Sequence, residues 1–446
     1  KAKNIEAIYP LSPLQQGMLF HSLYAPESGV YFEQMVFSFQ AKLKITALKS
    51  AWQKVVDRHP VLRTLFVWSN RPTPLQVVLK QVELPWQHLD WRMLSSPEQS
   101  QQLAELLSTQ RQQGFAFNKA PLMSCTLIQL SQETYKFIWS HHHILMDGWC
   151  LSIIFTEVLN FYEAELLGQT SYLPTPHPYR NYITWLNAQN QEAAAEFWRQ
   201  NLQGFSAPTP LGVAKTPAFE RQQFSDYPAL ELRLSAQVTG DLQSLVQAHH
   251  LTLSTLLQAA WGLLLSRYSG EEDIVFGVTV SGREASLSGI ENLVGLFINT
   301  LPLRLQISRE EQLIPWLKKI QELMVELQHY SYTPLVDIQA KSEIPGGVSL
   351  FESIVVFENY PIRNAWSGAD ISLQITDVES FEQTNYPLTV IAVPGDEFLL
   401  RISYDSVRFE KDAIERMLGH LETILSAFVA NPVAKVGELP WLSAAE

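Results

Sequence analysis

The stretch Tyr135-Lys136-Phe137-Ile138-Trp139-Ser140-His141-His142-His143-Ile144-Leu145-Met146-Asp147-Gly148-Trp149 decides how this chain is read. Its first part is aromatic and apolar, which predicts a strand over residues 135–140. Gly148 leads into a helical pattern over about residues 149–167, closed by Gly168. If the strand persists through the histidines, side chains alternate between faces. His141 and His143 then share a face with Tyr135, Phe137 and Trp139, and His142 points the other way. Asp147 follows His143 across the strand-to-helix turn, where it is expected to fix the turn rather than touch substrate. The Gly148 N–H lies near a helix N-terminus, where a donor can face a developing oxyanion. A base, a short acidic partner and a glycine thus meet at one strand end.

The rest of the chain bounds what that cluster does. With 446 residues and 46% hydrophobic composition, the chain is expected to fold as two large lobes. A net charge of −13 argues against a nucleic-acid binder. No apolar run is long enough for a membrane span, and the N-terminal residues lack the apolar core of a signal peptide. Two cysteines, Cys125 and Cys150, make neither a disulfide framework nor a zinc site, so a cytoplasmic location is expected. Adjacent strand histidines do not converge on one ion, so no metal is expected. The chain starts at Lys1 and looks excised from something longer.

Helix and strand signals alternate along the chain, which gives an α/β (α+β) class. Ser12 reads as an N-cap with Pro13 at the first helical position. A strand is expected near residues 32–39, a helix capped by Thr46 with Trp52 and Val55 on its apolar face, and a strand over 62–68. Pro174, Pro176 and Pro178 mark the best linker, placing lobes at residues 1–175 and 176–446. In the second lobe a helix starts at Thr252 or Ser254 and ends near Gly270. Strands are expected at 274–280, 353–357, 388–392 and 398–404, and a final helix at 411–428.

His142-His143-Ile144-Leu145-Met146-Asp147-Gly148 resembles the HHxxxDG signature of nonribosomal peptide synthetase condensation domains, an acyltransferase superfamily. Further strings resemble the family's other motifs in order. Ser12 to Phe20 resembles the first, and Arg58-His59-Pro60-Val61-Leu62-Arg63-Thr64 the second. Tyr179-Arg180-Asn181-Tyr182-Ile183-Thr184-Trp185 resembles the fourth, with Asn181 where aspartate is usual. Val294-Gly295-Leu296-Phe297-Ile298-Asn299-Thr300 resembles the fifth and His329-Tyr330-Ser331-Tyr332-Thr333-Pro334-Leu335, more loosely, the sixth. Phe357-Glu358-Asn359-Tyr360-Pro361 resembles the seventh. The tail Gly437-Glu438-Leu439-Pro440-Trp441-Leu442-Ser443 resembles a linker into an adenylation domain.

The resemblance implies two chloramphenicol-acetyltransferase-like lobes in a V-shaped pseudo-dimer, with a tunnel between them. His143 and Gly148 are then catalytic, and His142 and Asp147 structural at the active site. An arginine is expected to hold Asp147: Arg283 first, since it follows Val280-Ser281-Gly282 at a strand end, and Arg63 second. Ser12, Gln15, Met18, Trp149, Ser281, Asn299 and Tyr330 are expected along the tunnel. The implied reaction joins a donor acyl or peptidyl thioester to an acceptor aminoacyl thioester. Both would arrive on peptidyl carrier proteins whose phosphopantetheine arms those partners supply, with an adenylation domain adjacent and no cofactor bound by this chain. The continuation Trp149-Cys150-Leu151 differs from that common in epimerisation domains, and Ile144-Leu145-Met146-Asp147-Gly148-Trp149-Cys150 resembles domains taking an L-configured donor and an L acceptor. An epimerase, or a catalytically silent docking or recruitment module of the same fold, is the alternative.

Overall fold

The computed structural model describes residues 2–214, 227–283, 286–358 and 373–446. Among the described residues the chain begins β1 (Ile5–Pro10), α1 (Pro13–Tyr24), β2 (Phe32–Gln40), α2 (Ile45–Arg58), β3 (Thr64–Val67), β4 (Leu75–Leu79) and β5 (Trp86–Asp90). It continues with α3 (Ser96–Gln113), β6 (Met123–Gln129), β7 (Thr134–His142), α4 (Trp149–Leu166), α5 (Arg180–Asn187) and α6 (Gln191–Asn201). Next come β8 (Ala229–Arg233), α7 (Ala236–His249), α8 (Leu253–Ser269), β9 (Asp273–Val280), β10 (Asn299–Gln306), α9 (Leu313–Gln328) and α10 (Leu335–Ala340). The chain closes with β11 (Ser353–Phe357), β12 (Gln374–Phe381), β13 (Leu388–Val393), β14 (Leu399–Tyr404) and α11 (Lys411–Ala430). No helix among them is long and apolar enough to cross a membrane.

Two compact units result. The first comprises Lys1–Ala188 with two later segments, Arg283–Phe297 and Tyr360–Asn385; the second comprises Gln189–Gly282, Ile298–Asn359 and Tyr386–Glu446. The proline-rich stretch between α4 and α5 has no regular structure, and α5 lies with the first unit.

In the first unit a five-stranded sheet runs in the order β12-β2-β7-β6-β5, beside a three-stranded sheet β1-β4-β3. β2 sits between β12 and β7 and is buried along most of its length, as a central strand covered on both faces must be. Its register with β7 sets Phe32 opposite His142 and Glu33 opposite His141. α1 starts where the serine and proline put it: Ser12 and Gln15 form a reciprocal capping box, with Pro13 at the first position. Thr46, by contrast, is not a cap. α2 begins at Ile45 with Lys44 as N-cap and no side-chain cap bond. The strand expected over 62–68 is shortened to Thr64–Val67, because Pro60 opens a turn of 3-10 helix, Pro60–Arg63, before β3 begins.

The second unit holds a six-stranded sheet in the order β10-β9-β11-β13-β14-β8, with β9, β11 and β13 mutually parallel. α8 is buried along Leu256 to Leu265, so its apolar residues surround it rather than forming one stripe. Gly277 on β9 lies against β11 and the residues just before it. A Cβ there would stand 2.4 Å from the Phe351 ring and 2.7 Å from Ile354 Cγ2. Gly277→Ala is therefore expected to cost about 1–3 kcal/mol through overpacking. Gly419→Ala, inside α11 with nothing near its Cβ, should instead gain about 0.5–1 kcal/mol from helix propensity. Denaturant midpoints moving in opposite directions would agree with this packing; a neutral Gly277→Ala would not.

Candidate active site

β7 ends at His142, and the three histidines split between its faces. On one face His141 Nε2 lies 2.7 Å from Glu33 Oε2, while His143 Nε2 stands 3.6 Å from Glu33 Oε1. The Trp139 ring packs on His141 at 4.5 Å. On the other face His142 Nε2 meets Ser22 Oγ at 2.9 Å, and its Nδ1 accepts the Ile144 N–H at 3.0 Å. Burial pushes His142 down to about 3, and neighbouring His143 adds to this. His142 is thus neutral. Since its Nδ1 accepts, its proton sits on Nε2 and is donated to Ser22. His143 carries the opposite tautomer. Its Nδ1 is 2.9 Å from the Met146 carbonyl, which can only accept, so the proton lies on Nδ1 and Nε2 keeps its lone pair.

The loop that carries His143 is tied at each residue. The His143 N–H donates to Tyr31 O at 2.8 Å. Tyr31 aims that carbonyl with φ of 59°, a left-handed conformation costing about 1–2 kcal/mol for a residue with a Cβ. Gln15 Nε2 donates to Ile144 O at 3.3 Å. The Leu145 N–H reaches back to His142 O, and the Asp147 N–H donates to Gly295 O at 3.3 Å.

Asp147 has no solvent exposure. Its Oδ1 accepts from Arg283 Nη2 at 3.2 Å and its Oδ2 from the Phe297 N–H at 3.0 Å. Arg283 also donates to the carbonyls of Ile290 and Leu293, and its guanidinium lies 4.4 Å over the Phe297 ring. Cys150 completes the cluster. Burial pushes its thiol up to about 12, so it stays protonated among Asp147 Oδ1, Gly295 and Arg283 Nη2. Gly295 is required by close approach: a Cβ there would stand 2.5 Å from the Tyr179 ring. Tyr179 donates to Leu296 O at 2.6 Å and packs on Phe297. The strings around Tyr179 and Val294 thus meet each other and close over Asp147.

Of the other expected site residues, Gln15 and Trp149 stay with this cluster, the Trp149 ring lying 5.6 Å from the Arg283 guanidinium. Arg63 does not reach Asp147. It pairs with Glu6 and donates to Leu79 O, where β1 and β4 supply its acceptors. Ser12 and Gln15 are buried and committed to capping α1, with Gln15 also bracing the Ile144 carbonyl, and Met18 is buried. Trp149 is partly exposed and donates to Glu291 O. Gly148 is the N-cap of α4 with right-handed dihedrals, so the backbone there does not demand glycine. Ser281 is exposed. In the second unit Asn299 donates to the Ser331 and Thr333 carbonyls, and Tyr330 stacks on Phe197 at 4.2 Å. Arg58 and His59 of the second string both bind Glu157 on α4. Asn359 to Pro361 of the last string lie outside the described residues. Glu33 is the residue that sequence reading missed. Among the described residues no group of three or more His, Cys, Asp or Glu side chains is arranged to hold a metal ion.

Asp147→Asn and Arg283→Ala each remove one partner of a buried pair and are expected to cost about 3–5 kcal/mol of stability. The double variant should cost less than the sum, as contacting residues do. Strict additivity in urea melts would separate Arg283 from Asp147.

Residues 5–446 match the family described as Condensation domain. The chain is 43% identical over 444 residues to one of the linear gramicidin synthase proteins of Brevibacillus parabrevis, covering 100% of this chain and 6% of that protein. It is 44% identical over 446 residues to a second protein of the same synthase and organism, covering 99% of this chain and 9% of that protein. The chain thus spans less than a tenth of the length of these relatives. In fold it is similar to the starter condensation domain of rhizomide synthetase, solved in complex with C8-CoA, with a TM-score of 0.81 at 19% identity over 98% of both chains. The match along nearly the whole length leads to one family: the chain belongs to the condensation domains of nonribosomal peptide synthetases.

Proposed function

We propose that this chain forms an amide bond between two carrier-bound thioesters. The α-amine of an acceptor aminoacyl thioester attacks the carbonyl of a donor acyl or peptidyl thioester. A C–N bond forms, the C–S bond breaks, and the donor arm leaves as a thiol. The partners are donor and acceptor peptidyl carrier proteins, with an adenylation domain adjacent. The phosphopantetheine arms belong to those carriers and arrive with the substrates. The string Met146-Asp147-Gly148-Trp149-Cys150 supports an L donor and an L acceptor. The two cysteines, free and buried, fit the cytosol.

The observation that carries this reading is the tautomer of His143. With Nδ1–H held by Met146 O, Nε2 is the only ring nitrogen able to take a proton. It accepts one from the attacking amine and returns it to the departing sulfur. The Gly148 N–H, at the N-terminus of α4, donates to the oxyanion of the tetrahedral intermediate. His142 and Asp147 hold the loop. A thioester is already activated and a neutral amine is a good nucleophile, so proximity supplies the larger share. Aligned reactants reach effective molarities of about 10⁵–10⁸ M, against about 10²–10⁴-fold from a general base.

The test is a transfer assay with both carriers loaded, read by intact mass of the acceptor carrier. Extended product should appear with the native chain and fall about 10²–10⁴-fold in His143→Ala, at an unchanged unfolding midpoint. Free amino acids should give no useful rate, because the carrier and arm provide the binding energy that fixes the attack geometry. A stereo-inverted residue on an unextended donor would mean epimerisation instead. A folded chain that transfers nothing from loaded carriers would mean a silent module.

A further inference from the structure

Glu33 is a carboxylate in the interior of a sheet, at 8% exposure, beside the proposed base. It lies on β2 directly opposite His141 on β7. Its two oxygens are divided between two imidazoles: Oε2 is 2.7 Å from His141 Nε2, and Oε1 is 3.6 Å from His143 Nε2. The first is a close carboxylate–imidazole contact. The second is too long for a hydrogen bond and leaves room for a proton to arrive on Nε2. Glu33 therefore faces the one ring nitrogen of His143 that the Met146 carbonyl leaves with a lone pair.

We propose that Glu33 is a positioning residue for the transfer step: held by His141, its carboxylate stabilises the imidazolium formed when His143 Nε2 takes the proton of the attacking amine. This rests on the reading of His143 as the base. The proton balance is unchanged, since it moves from amine nitrogen to Nε2 and then to the leaving sulfur. Glu33 lends charge and gains no proton.

A buried carboxylate can act in this way only if it stays ionised. Burial pushes Glu33 up, but the imidazoles of His143 and His141 beside it outweigh burial and hold it below the ordinary carboxylate value. The ionisable groups around the pair are few. On β7 they are His141 and, on the other face, His142. Ahead of β2 there is the Tyr31 phenol, which donates to Asn385. His21 on α1 contacts the same asparagine, and the Asp147–Arg283 pair closes the base of the loop. Among the described residues Glu33 is the carboxylate within 4 Å of His143 Nε2. A carboxylate placed against an imidazole has precedent as an electrostatic partner that never itself takes the proton. Here it stands on the reacting nitrogen's side, because the other nitrogen is already held by backbone.

The experiment is the carrier-loaded assay over a pH series. Glu33→Gln keeps the shape and removes the charge. Its kcat should fall about 10–100-fold, within the span open to acid–base catalysis, with KM for the acceptor carrier unchanged. The acid limb of its rate profile should move to lower pH, because the ring loses the anion that favours its protonated form. Glu33→Asp should recover part of the rate. In a His143→Ala background Glu33→Gln should add no further loss, since Glu33 acts through the ring. Native kcat and an unmoved acid limb in a folded Glu33→Gln would overturn the proposal, as would a further loss in the His143→Ala background. If Glu33→Gln does not fold, Glu33→Asp decides: its carboxylate is withdrawn, so a native rate and profile overturn the idea. Full activity in His143→Ala would instead remove the base reading itself, an outcome distinct from any result at Glu33.

Discussion

A carboxylate with no access to water must find its partners inside the protein, and Asp147 finds them far along the chain. Arg283 lies 136 positions away and Phe297 150. Both ends of the segment that leaves the second half of the sequence and joins the first unit therefore converge on this one side chain. Removing the charge would leave a buried guanidinium and a buried N–H to be satisfied some other way, which is why the cluster behaves as a unit. Cys150, Tyr179 and Gly295 follow from it. The thiol fills the gap beside the carboxylate, and the glycine lets the Tyr179 ring pack where a Cβ would collide.

The fixed aspartate sets the loop above it. Asp147 and His143 are separated by a turn so tight that His143 bonds the Met146 carbonyl with its own ring. That contact selects the tautomer, and the tautomer leaves the lone pair on Nε2. Tyr31 and Gln15 hold the other side of the loop from β2 and α1. His142 is used up in the same bracing, buried and neutral with its proton on Ser22's side. Adjacent histidines thus do opposite work because a strand alternates its faces, and because each ring has a different nitrogen committed to protein.

Much of this was legible in the sequence because it is local. The Ser12-Pro13 helix start, the strand ending in histidines, the long helix after Gly148 and the face alternation all rest on signals within a few residues. Arg283 was reachable as an arginine needing a partner at a strand end. Glu33 was not, since only strand register places it beside His141, and register is not written in one strand alone. β12 was missed for a related reason. It is an edge strand with no fully buried residue, so it lacks the apolar alternation that marks a strand, and its partner β2 is more than 300 residues earlier. Arg63 misled because its acceptors, Glu6 and Leu79 O, come from strands whose pairing is also long-range. Of Ser12, Gln15 and Met18, which share one motif, Gln15 braces the loop through the Ile144 carbonyl, Ser12 caps α1 and Met18 is buried.

The proposed transfer step needs one atom, Nε2 of His143, unprotonated and presented to the reacting amine. Nitrogen-15 spectra of the chain with labelled histidine rings, assigned by comparison with His143→Ala and His142→Ala, read each tautomer directly. The account requires the proton of neutral His143 on Nδ1 and that of His142 on Nε2. A neutral His143 with its proton on Nε2 would leave no lone pair facing the amine and would contradict it.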